Sequence, residues 1–128
     1  LPWLMPLLTL RRRLYREWHW NPNAVLLNYY RDGRDSMGWH SDDEAELGTQ
    51  PAVASISVGA TRRFLIRHRR DKNSPVYQLD LEHGSLLFMS GTTQRYWRHS
   101  VPKTTTVIGP RINLTFRKIE QVKFGCQN

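Results

Sequence analysis

The sequence predicts a mainly β domain of the sandwich, barrel or jelly-roll kind, led by one amphipathic helix. Three observations carry this: a helical period near the N-terminus, short β-prone runs punctuated by turn residues from position 24 onward, and a length of 128 residues, which suits one domain with its own core. There is no internal repeat and no low-complexity tract.

The helix is read over Leu7 to Trp18, where Leu7, Leu10, Leu14 and Trp18 recur at steps of three and four and so share one face. Asn21-Pro22-Asn23 breaks it. The predicted strands are Ala24–Tyr30, Met37–Ser41, Ala52–Ala60, Arg63–His68, Val76–Leu81, Ser85–Met89, Trp97–Val101, Thr104–Ile108 and Arg111–Lys118. Asp42 to Gln50 reads as an acidic loop, and Arg67 to Ser74 as a basic hairpin loop.

Composition narrows the setting. The 19 Lys and Arg against 11 Asp and Glu give a net charge of +8, which suits a polyanionic partner such as nucleic acid, although a merely soluble basic protein has the same balance. Cys126 is the single cysteine, so no internal disulfide can form and an intracellular location is expected, cytoplasmic in a bacterium or nuclear in a eukaryote. The apolar opening is interrupted by Pro2 and Pro6 and followed by Arg11-Arg12-Arg13, which fits neither a signal peptide nor a membrane span. A monomer with no membrane association is expected. The chain starts at Leu1 rather than Met, so it is expected to be a fragment of a longer protein.

His40-Ser41-Asp42 sets two metal-capable side chains two positions apart, and strand alternation would send both to one face. With a third ligand, for which His99 is the best candidate, they would make a two-His, one-carboxylate set that leaves coordination positions open on non-haem iron. A surface pair is the plainer reading of the tripeptide alone. On the last strand Arg111, Asn113, Thr115 and Arg117 share one parity and Ile112, Leu114 and Phe116 the other. Such a polar face usually meets solvent. In a roll enclosing a ligand it would turn inward instead, and two guanidiniums could then grip the ends of a small dicarboxylate. Asn28 and Tyr30 share a parity on their own strand and could add an amide and a phenol.

From about Asn23 to Ile119 the sequence resembles the AlkB family of nucleic-acid dealkylating dioxygenases, above all its duplex-DNA-repair branch. The matching pieces are Asn28-x-Tyr30, Gly38-Trp39-His40-Ser41-Asp42-Asp43-Glu44, Ser55-x-Ser57-x-Gly59-Ala60, Glu82-His83-Gly84-Ser85-Leu86-Leu87, Trp97-x-His99-Ser100 and Pro110-Arg111-Ile112-Asn113-Leu114-Thr115-Phe116-Arg117. The resemblance implies a double-stranded β-helix, or jelly roll, with the N-terminal helix packed outside. It implies a single iron(II)- and 2-oxoglutarate-dependent dioxygenase catalytic domain over residues 1–128, lacking most of an upstream nucleotide-recognition lid. It also implies oxidative dealkylation of N-alkylated bases in DNA, coupled to decarboxylation of 2-oxoglutarate and releasing an aldehyde.

Residue by residue, the family pattern implies His40, Asp42 and His99 as iron ligands. Arg111 would take the distal carboxylate of 2-oxoglutarate and Arg117 the chelating end, with Asn28, Tyr30, Asn113 and Thr115 completing the pocket. Glu44 matches a contact to the damaged base, or else is a solvated loop carboxylate. Arg62, Arg63, Arg67, Arg69, Arg70 and Lys72 are candidates to meet phosphates, which would make DNA binding salt-sensitive; a solvated basic hairpin is the alternative. His19, His68 and His83 are assigned structural or surface roles, and Trp3, Trp18 and Trp20 core packing. Where the duplex-repair branch carries Arg-Lys-Lys after the distal iron ligand, this chain reads Pro102-Lys103-Thr104-Thr105-Thr106. Two further readings stand beside a DNA dealkylase: a dioxygenase of the same family acting on RNA or another substrate, and a catalytically silent basic β-domain that binds nucleic acid.

Overall fold

Helix α1 (Met5–Trp18) begins two residues earlier than its apolar period suggests, because Pro6 lies in the first turn, where its fixed φ suits a helix and its missing N–H costs nothing. It ends where His19 adopts a left-handed conformation and returns its N–H to Tyr15 O. The computed structural model describes residues 2–120, so Cys126 lies outside the described residues. Among these, no helix is long and apolar enough to cross a membrane.

Among the described residues eight strands follow: β1 (Ala24–Tyr30), β2 (Met37–His40), β3 (Val53–Gly59), β4 (Arg62–His68), β5 (Tyr77–Leu81), β6 (Leu86–Met89), β7 (Trp97–Val101) and β8 (Arg111–Arg117). They form two four-stranded sheets, β1-β8-β3-β6 and β2-β7-β4-β5, with every pairing antiparallel. The chain passes between the sheets at every connection except β4→β5, which gives the mainly β, jelly-roll-like architecture expected from the sequence.

Strand alternation divides the apolar residues into two cores. Tyr30, Val53 and Met89 of the first sheet meet Phe64, Leu81 and Val101 of the second, filling the space between the sheets. Residues of opposite parity on the first sheet, Ala54, Leu114 and Phe116, are buried with Leu14 of α1 and flanked by Leu7, Leu10 and Trp3. Trp20 meets Phe88 edge-on and packs against this core as expected, whereas Trp18 stacks on the same ring at 5.3 Å but stays half exposed outside the core. The outer face of this sheet is therefore as apolar as its inner one is mixed, a point that decides the direction of the β8 arginines below.

Three local features depart from the sequence reading. The predicted strand Thr104–Ile108 is an irregular loop. Thr104 N–H goes to Gly33 O, the Thr104 hydroxyl accepts the N–H of Thr106, and Val107 is almost wholly exposed. With no strand edge alongside, β-branched side chains alone do not build a ladder. A short helix α2 (Thr93–Tyr96) precedes β7, and a single 3-10 turn (Ala45–Leu47) punctuates the acidic loop. Gly59 closes the β3–β4 connection with φ 101°, and a Cβ there would collide with Pro110 O.

Candidate metal centre

His40 ends β2 and faces His99 of β7 across the ladder, their rings 4.2 Å apart. His99 also stacks on Phe64 at 5.2 Å in the inter-sheet core. The potential ligand atoms of His40, Asp42 and His99 all lie within 4.8 Å of one another, so the three residues singled out in the sequence do converge. The route differs from the one expected. β2 stops at His40, and its register against β7 is irregular, so Asp42 does not share a face with His40 by strand alternation. It reaches the site from the loop beyond, where Ser41 Oγ donates to Trp97 O at 2.6 Å and Asp42 N–H donates to Gln94 Oε1 at 2.8 Å.

The donor set fits a divalent transition metal. His40 Nδ1 lies 2.8 Å from Gly38 O, which favours a proton on that nitrogen and leaves Nε2 as the lone-pair donor. Asp42 is 3% exposed. Its Oδ1 accepts from Arg117 Nη2 at 2.7 Å, while Oδ2 stands 3.6 Å from His99 Nε2. Burial, then the neighbouring His40 and Arg117, push the His99 imidazole down to about 4, so it is neutral at physiological pH as metal binding requires. The unfolded chain protonates this residue near pH 6.5 and the folded chain only near 4. Protons are thus taken up preferentially by the unfolded state between those values. Urea midpoints measured in chelator should be flat with respect to this residue above about pH 6.5 and fall as pH drops from there toward 4. A His99→Phe variant should lose that part of the slope.

β8 supplies the opposite wall. Ile112, Leu114 and Phe116 turn outward, the latter two beneath α1, so Arg111, Asn113, Thr115 and Arg117 turn into the roll. Of the two directions open to this strand, the inward one is realised. Register places Asn28 beside Asn113 and Tyr30 beside Arg111. A cavity of about 220 Å³ is lined by His40, Asp42, His99, Asn28, Tyr30, Asn113, Thr115, Arg117 and Glu44, with Phe64, Met89 and Val101 among its apolar walls. Arg111 lies behind Tyr30, its guanidinium 5.1 Å from that ring, and is 1% exposed. It donates to Ser57 Oγ at 2.9 Å, but its Nε and Nη1, like Arg117 Nε, are buried with no hydrogen-bond partner among the described residues. Burial lowers the Arg111 pKa, yet a guanidinium remains charged at physiological pH. Buried cationic donors left unpaired are costly, and an anion arriving beside them would supply the missing acceptors.

Ser41, Ser55, Ser57 and Gln94 were not singled out as site residues. Ser55 and Ser57 had a usable signal: they share one parity of β3, and they pair in register with Thr115 and Asn113. Ser55 Oγ donates to Asn113 Oδ1 at 2.7 Å.

The nucleic-acid candidates fall into two groups. Glu44 stands exposed at the cavity mouth. Arg63, Arg70 and Lys72 are exposed, and Arg67 lies over the Trp39 ring at 4.2 Å. Arg69 is partly engaged, 3.4 Å from Asp43 Oδ2 and 3.3 Å from Arg95 O. Arg62 does not belong with them. It is buried and donates to Asp32 O, Asp35 O and Pro102 O, tying the β1–β2 loop to the segment after β7, so it cannot meet a phosphate. The other histidines are structural as expected: His83 Nδ1 accepts Gly59 N–H, His68 Nδ1 accepts from Arg70 and Asp71, and His19 caps α1. Trp3 packs on Phe116, and none of Trp3, Trp18 and Trp20 lines the cavity.

Comparison with known proteins agrees with this geometry. The family model described as the 2OG-Fe(II) oxygenase superfamily matches residues 1–117. Over 124 residues the chain is 44% identical to mouse alpha-ketoglutarate-dependent dioxygenase alkB homolog 3, covering 91% of this chain and 43% of that protein. It is 42% identical to the mouse DNA oxidative demethylase ALKBH2 over 128 residues, covering 95% of this chain and 54% of that one. The human ALKBH2 is 48% identical over 103 residues, covering 76% of this chain and 40% of that protein. The chain thus spans about half the length, or less, of these relatives. The solved structure of OsALKBH1 superposes with a TM-score of 0.61 at 24% identity, covering 88% of this chain and 60% of that one, which supports the fold.

Proposed function

Because the chain belongs to the 2OG-Fe(II) oxygenase superfamily, in its AlkB-type group, we propose that it oxidatively dealkylates N-alkylated bases in DNA. In this reading residues 1–128 are one catalytic domain, a double-stranded β-helix with α1 packed outside, acting as an intracellular monomer. The carrying observation is a conjunction: the His40, Asp42 and His99 donors lie within 4.8 Å of one another, and buried guanidinium nitrogens without a partner among the described residues belong to Arg117 on the wall of the same cavity and to Arg111 behind Tyr30.

Iron(II) and 2-oxoglutarate supply the oxidising power when bound: dioxygen is consumed, the 2-oxo acid leaves as succinate and carbon dioxide, and one oxygen goes to the alkyl carbon, which departs as an aldehyde. The chain's residues hold and orient. His40, Asp42 and His99 would bind the metal at three positions and leave the rest open. Arg111 would pair with the distal carboxylate of the co-substrate and Arg117 would steady the chelating end through its bond to Asp42, while Asn28, Tyr30, Asn113 and Thr115 complete the pocket. Phe64, Met89 and Val101 keep the reacting end apolar and limit water.

A base within a duplex cannot enter such a cavity, so it would be flipped out, at a cost of about a few kcal/mol. Glu44, exposed and lining the cavity, would meet it. Relatives from mouse and human are among those that carry the name DNA oxidative demethylase, and that supports DNA over RNA. For the backbone, Arg67 sits on Trp39 directly across the ladder from Arg98. Like charges in register repel, and a phosphate between them would relieve this. Arg70 and Lys72 extend the same basic side.

The test is anaerobic iron loading followed by oxygen, 2-oxoglutarate and methylated single-stranded DNA, double-stranded DNA or RNA, with succinate and base mass followed together. One succinate per repaired DNA base is expected. Repair confined to RNA would replace the substrate class, and oligonucleotide binding without succinate would replace the enzyme by a binding domain.

A further inference from the structure

We infer that Gln94 is a positioning residue for the metal site, holding the backbone of Asp42 so that its carboxylate meets the two imidazoles. The inference rests on reading His40, Asp42 and His99 as metal ligands, and it concerns how the least constrained of the three is kept in place.

The two histidines are fixed by the β2–β7 ladder. Asp42 is not, since β2 ends at His40 and residues 41–44 have no regular structure. Arg117 Nη2 holds the carboxylate itself at 2.7 Å, and two further tethers fix the loop that carries it. The Ser41 hydroxyl reaches Trp97 O, and the Asp42 N–H reaches Gln94 Oε1 at 2.8 Å. The second bond acts on the ligand residue itself, and it comes from a buried side chain. Gln94 is 1% exposed, and its Nε2 points to Met89 Sδ at 3.6 Å. It sits five residues before His99 on α2, which runs directly into β7. Gln94 thus joins the loop bearing one ligand to the strand bearing another.

Packing alone would not call for an amide at this place. Burying one costs free energy unless it finds partners, and an apolar side chain of equal length would fill the volume beside Met89. What the apolar side chain would lack is an acceptor for Asp42 N–H. That donor would then be buried and unpaired, and the loop would relax to satisfy it elsewhere. Since a carboxylate ligand turns with its own backbone, such a shift would move Asp42 away from the imidazoles. Outer partners that orient a ligand commonly govern metal affinity by about 10- to 100-fold.

The experiment measures cobalt(II) affinity from the visible absorption of the bound ion, without oxygen or co-substrate, in the parent chain, Gln94→Met and Asp42→Ala. Gln94→Met keeps length and removes the acceptor. It is expected to weaken cobalt(II) about tenfold or more and to alter the absorption of what remains bound. A folded Gln94→Met that binds within twofold of the parent overturns the inference. Should that variant fail to fold, amide exchange in the metal-free parent decides. The Asp42 N–H is expected to be strongly protected despite lying in a loop, and exchange at the rate of an open loop overturns the inference. Asp42→Ala separates this from the larger reading. If it binds cobalt(II) as the parent does, the metal assignment itself is wrong; if it alone loses the ion, only the role of Gln94 is.

Discussion

Asp42→Ala is expected to reduce base-dependent succinate formation below detection while the chain still folds. Asp42 is the one carboxylate of the three-residue cluster, and two neutral imidazoles alone neither balance the ion's charge nor fix it at three positions. The same substitution removes the partner of Arg117, whose Nη2 bonds Asp42 Oδ1 at 2.7 Å. Leaving that guanidinium uncompensated costs stability on the order of 3 kcal/mol, so a loss of activity could be mistaken for a loss of fold. Asp42→Asn separates the two. It keeps an oxygen for Arg117 and much of the stability, yet supplies a poor metal ligand. Turnover should vanish in both variants, while the drop in unfolding midpoint should be clearly larger for Asp42→Ala. Parent-like turnover in Asp42→Asn would remove the carboxylate from the metal site.

Arg111→Met should raise the 2-oxoglutarate KM about 30-fold or more, with much of kcat regained at saturation, because removing one side of a buried charge pair costs about 2–5 kcal/mol. The guanidinium is wholly buried with two donor atoms unpaired, so a carboxylate arriving there meets a cation that has already lost its water. Binding is thereby favoured at little further desolvation cost on the protein side. The sign of the stability change follows from the same fact. In the absence of 2-oxoglutarate, Met replaces a poorly compensated buried cation with a flexible apolar chain, and thermal unfolding should move little or shift upward. An unchanged KM would place the distal carboxylate elsewhere.

The fold was largely legible because its signals are local. The strand Ala24–Tyr30 was read to its observed limits, and α1 was misplaced only at its start. Where a segment's fate depended on a distant edge, the reading failed: Thr104–Ile108 has strand propensity but no partner. The metal triad was found for a reason that proved incomplete, since strand alternation does not reach Asp42, and the Gln94 side chain and the Trp97 carbonyl, 52 and 56 residues away from their partners, complete the placement. For β8, parity revealed a polar and an apolar face without saying which was inside. Leu114 and Phe116 settled it by burying beneath Leu14, a contact between two ends of the chain that no periodicity contains. Arg62 shows the opposite limit. Among basic neighbours it looks like one more surface cation, and only coordinates reveal three backbone carbonyls around it.

The histidines of the proposed metal site belong to one sheet and the arginines proposed to hold the anion to the other. A chelated dicarboxylate would therefore act as a rivet through both leaves of the roll, resisting any motion that parts them. Such a guest adds its binding free energy to the stability of the closed form. Catalytic readiness and mechanical closure would be one and the same event, and the cellular supply of 2-oxoglutarate would help set how long the protein lasts.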